Sequence, residues 1–312
     1  MFLLLKYTLL YAVVLMLVAL GGMFSERSGV INIALEGIMA IGGLAGVLVL
    51  VVLQGSVPTW LLVTLSIFAS AIAGMVYSLL LGFSAITLKA DQTIGGTALN
   101  MLATAAAIVI VKSYNNHSAA SNGASSAKLT YWNAPFLHKF GSLNYSIFLI
   151  VGIILLIISY IFLFKTKYGL RLRACGEHPQ AADSVGINVY KWRYTGVMIS
   201  GFLGGLGGFA YIVPSVSTWN FEVGVTGFGF LALAVMIFGQ WKPFRIAAAA
   251  VFFAVFKSLA NISDATFLSH LHLSKNIYDM MPFIASMIIL AFTSKNSAAP
   301  KAEGIPYDKG QR

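Results

Sequence analysis

The sequence predicts an all-α integral membrane protein, a polytopic bundle of about nine transmembrane helices within a range of roughly eight to ten. Three observations carry that expectation. Of the 312 residues, 58% are hydrophobic and only 10% are charged, with a mean hydropathy of +0.84. Soluble domains carry about a quarter charged residues, so this chain lacks the polar surface to cover a water-soluble globule. Its apolar runs approach or exceed the ~20 residues that a helix rising ~1.5 Å per residue needs to cross ~30 Å of hydrocarbon. The short alternating segments of a membrane barrel are absent, so helices must satisfy the backbone.

In chain order, the expected spans are 2–22, 30–53, 60–81, 93–111, 145–164, 194–213, 224–239, 246–262 and 278–292. The first lacks a basic leader and a small-x-small cleavage site, so it reads as a retained helix rather than a signal peptide. The second and third are separated only by QGSVPT, which leaves one of them open to being broken or re-entrant. The connection 112–144 is rich in Ser, Asn and Ala and reads as a flexible outer loop. The connection 165–193 is polar and basic, with Lys165, Lys167, Arg171, Arg173, Lys191 and Arg193. The chain thus divides into a transmembrane domain over 1–293 and a polar cytoplasmic tail over 294–312, expected to be disordered over 297–312.

Basic residues orient the bundle. Segment 165–193, the turn with Lys242 and Arg245, and the tail alternate with connections poor in Lys and Arg, the pattern of a cytoplasmic set. This puts the N-terminus outside and the C-terminus inside. Because the basic residues sit at span ends, the net charge of +10 is explained by topology and excludes a nucleic-acid-binding role. With one cysteine, Cys175, no intramolecular disulfide can form.

Glycine marks close helix contacts. Gly201 with Gly205, Gly204 with Gly208 and Gly42 with Gly46 are small-x-x-x-small pairs that let helix backbones approach. A nucleotide-binding glycine loop needs a strand–turn–helix setting that this region lacks.

No catalytic grouping is evident and no P-loop is present, so the chain itself is expected to be no enzyme and to hydrolyse no ATP. No metal site is expected: His270 and His272, with Asp264 nearby, are a weak zinc signal in a loop. Polar residues inside spans are the better lead, because burying them unpartnered costs several kcal/mol. Asn32 and Glu36, four apart, are expected to share one face of the second span, and Asn100 lies inside the fourth; all three are candidates for lining a substrate pathway. Asp91 and Gln92, at the start of the fourth span, are candidates for a cap or gate. Lys257 is expected to snorkel, and Trp219 and Phe221 to sit in an interfacial belt.

These motifs converge on a family. SGVINIALEGIMAIGGLAG (28–46) resembles the second-helix signature of permease subunits of bacterial ABC importers in the branched-chain amino acid, ribose and nucleoside group. DQTIGGTALNMLA (91–103), the segment 170–193, GFGFLALAVMIFGQWKP (227–243) and Met281-Pro282-Phe283 resemble further members of the same set. The sequence is most similar to the nucleoside branch, over residues 20–295. It departs with Gln92 where an acidic residue is common, and with Phe228 where a basic one is.

The resemblance implies a type II-like ABC importer permease in a bacterial cell membrane. Its implied partners are a second permease subunit, identical or homologous, an ABC ATPase subunit that carries ATP and Mg, a substrate-binding lipoprotein and a nucleoside substrate, with no cofactor on this chain. QAADSVG resembles the family's EAA-x-x-x-G coupling motif with Gln for Glu, which makes Gln180, Ala181, Ala182, Asp183 and Gly186 the expected ATPase contact. The flanks, 165–173 and 191–193, are expected mainly to set orientation. Alternatives are a sugar or branched-chain amino acid importer of the same architecture, and a proton-coupled secondary transporter that uses Glu36.

Overall fold

A computed structural model describes residues 2–117, 126–141, 143–262, 275–293 and 298–310. Its helices are α1 (Phe2–Arg27), α2 (Leu35–Leu53), α3 (Thr59–Gly82, with a π-helical turn Phe83–Thr87), α4 (Gln92–His117), α5 (Phe148–Lys165), α6 (Lys167–Glu177), α7 (Pro179–Ser184), α8 (Val189–Ile212), α9 (Phe228–Phe238), α10 (Pro243–Asn261) and α11 (Lys275–Thr293). Seven of them, α1 to α5, α8 and α10, are long and apolar enough to cross a membrane. α11 has 19 residues with Pro282 inside it.

α1 and α8 are the most buried spans and form the centre. The glycines of α8 explain how. A Cβ on Gly201 or Gly205 would overlap Ser78, Gly74 or Ser70 of α3, and one on Gly208 would overlap the Met39 carbonyl of α2. One on Gly207 would overlap Val18 of α1. The two glycine pairs therefore serve two neighbours, α3 and α2, and leave no room for a methyl group between backbones.

Helix boundaries follow local chemistry. Pro243 and Pro179 open α10 and α7 at positions where no intrahelical N–H is needed. The Thr166 hydroxyl accepts from Gly169 N–H at the start of α6, and Asn188 Oδ1 accepts from Lys191 N–H at 3.0 Å to start α8. The short turn after Leu53 leaves α2 and α3 as two complete spans.

Several sequence expectations are corrected. The span expected over 224–239 is helical only from Phe228 to Phe238, eleven residues, because Gly224 and Gly227 take φ of +63° and +80° and end any helix before them. The connection 112–144, expected to be a flexible loop, carries ordered structure: α4 runs on to His117, and strands follow. β1 (Lys128–Thr130) pairs antiparallel with β4 (Thr218–Asn220), and β2 (Leu137–Phe140) pairs with β3 (Leu143–Ser146). Asn115 ties the helix to this end by donating to Ser126 and Lys128 carbonyls.

The tail is the third correction. Residues 298–310, expected to be disordered, pack across the opposite, basic end of the bundle. Ala302 N–H donates to Gly176 O and Gly304 N–H to Gly29 O. Lys89 Nζ lies 3.0 Å from Asp308 Oδ2. Tyr307 is buried in a cluster with Cys175, Ala182 and Val189. Arg193 was expected to be an orienting surface charge; instead it is 1% exposed, and its Nη1 donates to Ile305 O at 2.8 Å.

Candidate functional site

The site is built around a break. α1 ends at Arg27, and the chain then runs without helix from 28 to 34 before α2 begins. Gly29, at φ +96°, turns the chain there. Ser25 closes the turn: its hydroxyl donates to Val30 O at 2.7 Å and its carbonyl accepts from Val30 N–H. α2 starts beside the middle of α8, since Cβ atoms on Gly204 would meet Ile38 and Leu35. Residues 28–34 therefore thread the interior between helices, where exposed backbone groups need partners.

The polar residues singled out in the sequence supply those partners. Gln92 Oε1 accepts from Ile31 N–H at 2.7 Å. Asn100 does two jobs, donating from Nδ2 to Ile33 O at 2.9 Å and accepting at Oδ1 from Gly37 N–H at 2.8 Å. Asn32 Nδ2 donates to Ser200 Oγ of α8 at 2.8 Å. Glu36 accepts from Gly227 N–H and Gly229 N–H, each at 2.7 Å, so its carboxylate caps the buried N-terminus of α9. A Cβ on Gly229 would overlap the Glu36 backbone, which is why glycine stands there.

This arrangement corrects one expectation. Asn32 precedes α2 rather than lying on it, so it and Glu36 do not share a helix face. They point to different neighbours, α8 and α9. Among the described residues, two buried groups here have no hydrogen-bond partner: the acceptor Asn32 Oδ1 and the donor Gln92 Nε2. Asp91, next to Gln92 in the chain, is exposed instead. Its Oδ1 accepts from Thr93 and Ile94 N–H at 2.8 and 2.9 Å, the geometry of an N-cap.

At the basic end, α7 follows α6 directly and turns at Gly186, φ +82°. Gln180, Ala181 and Gly186 are exposed and Asp183 half-buried, whereas Ala182 is 4% exposed and packs inward beneath Tyr307. Ala182 is therefore unavailable for a contact surface. Val185 and Leu170, at 75% and 61% exposed, are apolar side chains the coupling motif did not single out. The break packs against α6 and α8, the helices on either side of α7. A Cβ on Gly176 would overlap the Arg27 carbonyl, and one on Gly29 would lie 2.9 Å from Arg193 Nη2. Arg27 also reaches across this end, donating to Trp241 O and lying 3.6 Å from Glu177. Glu26 accepts from Trp241 Nε1 at 2.6 Å. Neither Glu26 nor Trp241 was singled out in the sequence; a carboxylate buried at a span end was the available signal.

Among the described residues no three His, Cys, Asp or Glu side chains could hold a metal ion together. His270 and His272 lie outside the described residues.

Comparison with known proteins agrees with this architecture. The family described as branched-chain amino acid transport system / permease component matches residues 4–291. The chain belongs to that permease family. It is 42% identical to the guanosine ABC transporter permease protein NupQ of Bacillus subtilis, over 98% of this chain and 96% of that one. It is 35% identical to the nucleoside ABC transporter permease protein NupC of Lactococcus lactis, over 97% and 96%. A putative glucose ABC transporter permease protein of Haloferax volcanii, TsgC13, is 31% identical over 82% of this chain and 76% of its own. As a member of this family the chain is a multi-pass ABC permease subunit, and its resemblance to the nucleoside branch is the one the motifs pointed to.

Proposed function

We propose that this permease is the membrane subunit of an ATP-driven nucleoside importer in a bacterial cell membrane. The near full-length similarity to permeases named for guanosine and for nucleosides carries the choice of substrate. The distribution of Lys and Arg supports a cytoplasmic basic end, with the C-terminus inside. A second permease subunit completes the pathway, a substrate-binding lipoprotein delivers nucleoside at the end carrying β1 and β4, and an ABC ATPase holding ATP and Mg docks at α7.

The geometry suggests how the parts couple. The exposed residues of α7, Gln180 and Ala181, and of the turn after it, Val185 and Gly186, meet the ATPase. Its motion passes through α6 at Gly176 and through Arg193 to Gly29, and so to the broken segment 28–34. Shifting that segment breaks or remakes the bonds from Gln92, Asn100 and Ser200. The unmatched acceptor on Asn32 and donor on Gln92 then become available to a solute rich in both, as a nucleoside is. Because both Glu36 oxygens accept backbone N–H bonds, a proton arriving there would disrupt the α9 cap, which favours the ATP-driven reading over proton coupling.

Competition decides the substrate. In cells taking up labelled guanosine through this system, unlabelled nucleosides should compete and glucose or leucine should not. Stronger competition by glucose or leucine would reassign the substrate to the sugar or amino acid alternative.

A further inference from the structure

We infer that the end of the bundle carrying the β2–β3 hairpin holds a binding site for one anionic phospholipid. A cavity of about 290 Å³ opens there between the first turns of α1 and the β3–α5 corner. Its walls are apolar, formed by Leu9, Leu10, Val13, Phe148 and Leu149 among others. Phe148, part of that lining, stacks with Phe136, and both meet Phe209 edge to face. A cavity of this size and lining suits an alkyl chain.

Lys6 is the one charged residue in its lining. That lysine is one helical turn below Leu10, half-buried, and has no carboxylate partner among the described residues. Its ammonium lies 5.8 Å from the Tyr7 ring, a contact that leaves its donors for another group. A lysine near a span end reaches for the headgroup region. Asn144 and Tyr145 of the same lining add polar side chains. An apolar slot with a cation and neutral polar groups at one mouth is the complement of an acyl chain joined to a phosphate. The site lies away from the broken segment and from α7, so it is independent of the transport reading.

The test is native mass spectrometry of the purified full-length chain in detergent, titrated with phosphatidylglycerol or with phosphatidylcholine of the same acyl length. The wild-type chain should retain a first phosphatidylglycerol at several-fold lower lipid concentration than phosphatidylcholine. Lys6→Gln should abolish that preference while keeping phosphatidylcholine binding. Leu9→Trp, which fills the slot from a part-exposed position, should weaken retention of both lipids. Inorganic phosphate should not displace the lipid. An unchanged preference in Lys6→Gln, unchanged retention in Leu9→Trp, or displacement by phosphate would each overturn the proposal.

Discussion

Replacing Glu36 with alanine removes both acceptors at the start of α9. Gly227 and Gly229 N–H, each bonded at 2.7 Å, are left without partners in the interior. An orphaned buried donor costs about 1–3 kcal/mol, so two give roughly 2–6 kcal/mol. Glu36 is half-buried, so water entering the gap offsets part of that loss, and about 2–4 kcal/mol is the expected destabilisation. Glu36→Gln keeps one carbonyl oxygen and loses the charge that favours a helix N-terminus, so it should lose about half as much. Thermal unfolding of the purified variants in one detergent measures this, with wild type, Gln and Ala expected in descending order of midpoint. If Glu36 lines the proposed pathway, uptake should fall in the same order. An alanine variant that melts with the wild type would refute the capping role. A glutamine variant that melts with the wild type yet loses all uptake would point instead to a titrating carboxylate.

Other outcomes follow from the packing. Gly42→Leu places side-chain atoms where Gly205 of α8 already lies, so destabilisation at the upper end of the ~1–3 kcal/mol typical of overpacking is expected, read as a lowered unfolding midpoint. Burial pushes the Cys175 thiol up to about 11, and Tyr307 packs over it, so the folded chain should resist maleimide at pH 7 and at pH 9. Ending the chain at residue 297 should make Cys175 react readily. Burial also raises Glu303 above its ordinary value of 4.5, against lowering contributions from Glu26 and Arg27. Its contribution to tail docking is therefore full below that value and is lost as pH rises through the raised one. Glu303→Gln should accordingly slow protease removal of the tail at neutral pH, and wild-type and variant tails should converge in acid.

Much of the architecture was legible in the sequence, and the failures have physical causes. Long apolar runs gave the spans, and glycine spacing gave the close approaches of α8, because both are properties of local composition. Asp91 read as a cap from its place before a helical run, and its two backbone bonds fit that reading. The start of α2 was misplaced because GVINIA is as apolar as the helix after it, so hydropathy cannot mark where the helix begins. The partners of Asn32 and Glu36 lie 168 and 191 residues away, beyond any spacing rule. The tail misled for the opposite reason. Its composition is polar, but backbone bonds from Ala302 and Gly304, and contacts of Ile305, Tyr307 and Asp308 with Arg193, Tyr190 and Lys89, anchor it. Arg193 looked like its basic neighbours, but it packs against Gly29 and bonds the tail at Ile305.

The central claim is that transport of nucleoside requires an ATPase acting at α7, and reconstitution tests it most directly. The permease would be placed in liposomes with its ATPase, partner permease and binding protein, and guanosine uptake followed with and without ATP. Uptake should appear only with ATP and the ATPase. It should vanish in Gly186→Arg, which strains a φ of +82° and projects a long cation from the docking face while leaving membrane insertion intact. Guanosine accumulation by the permease alone, driven by a proton gradient, would contradict the account.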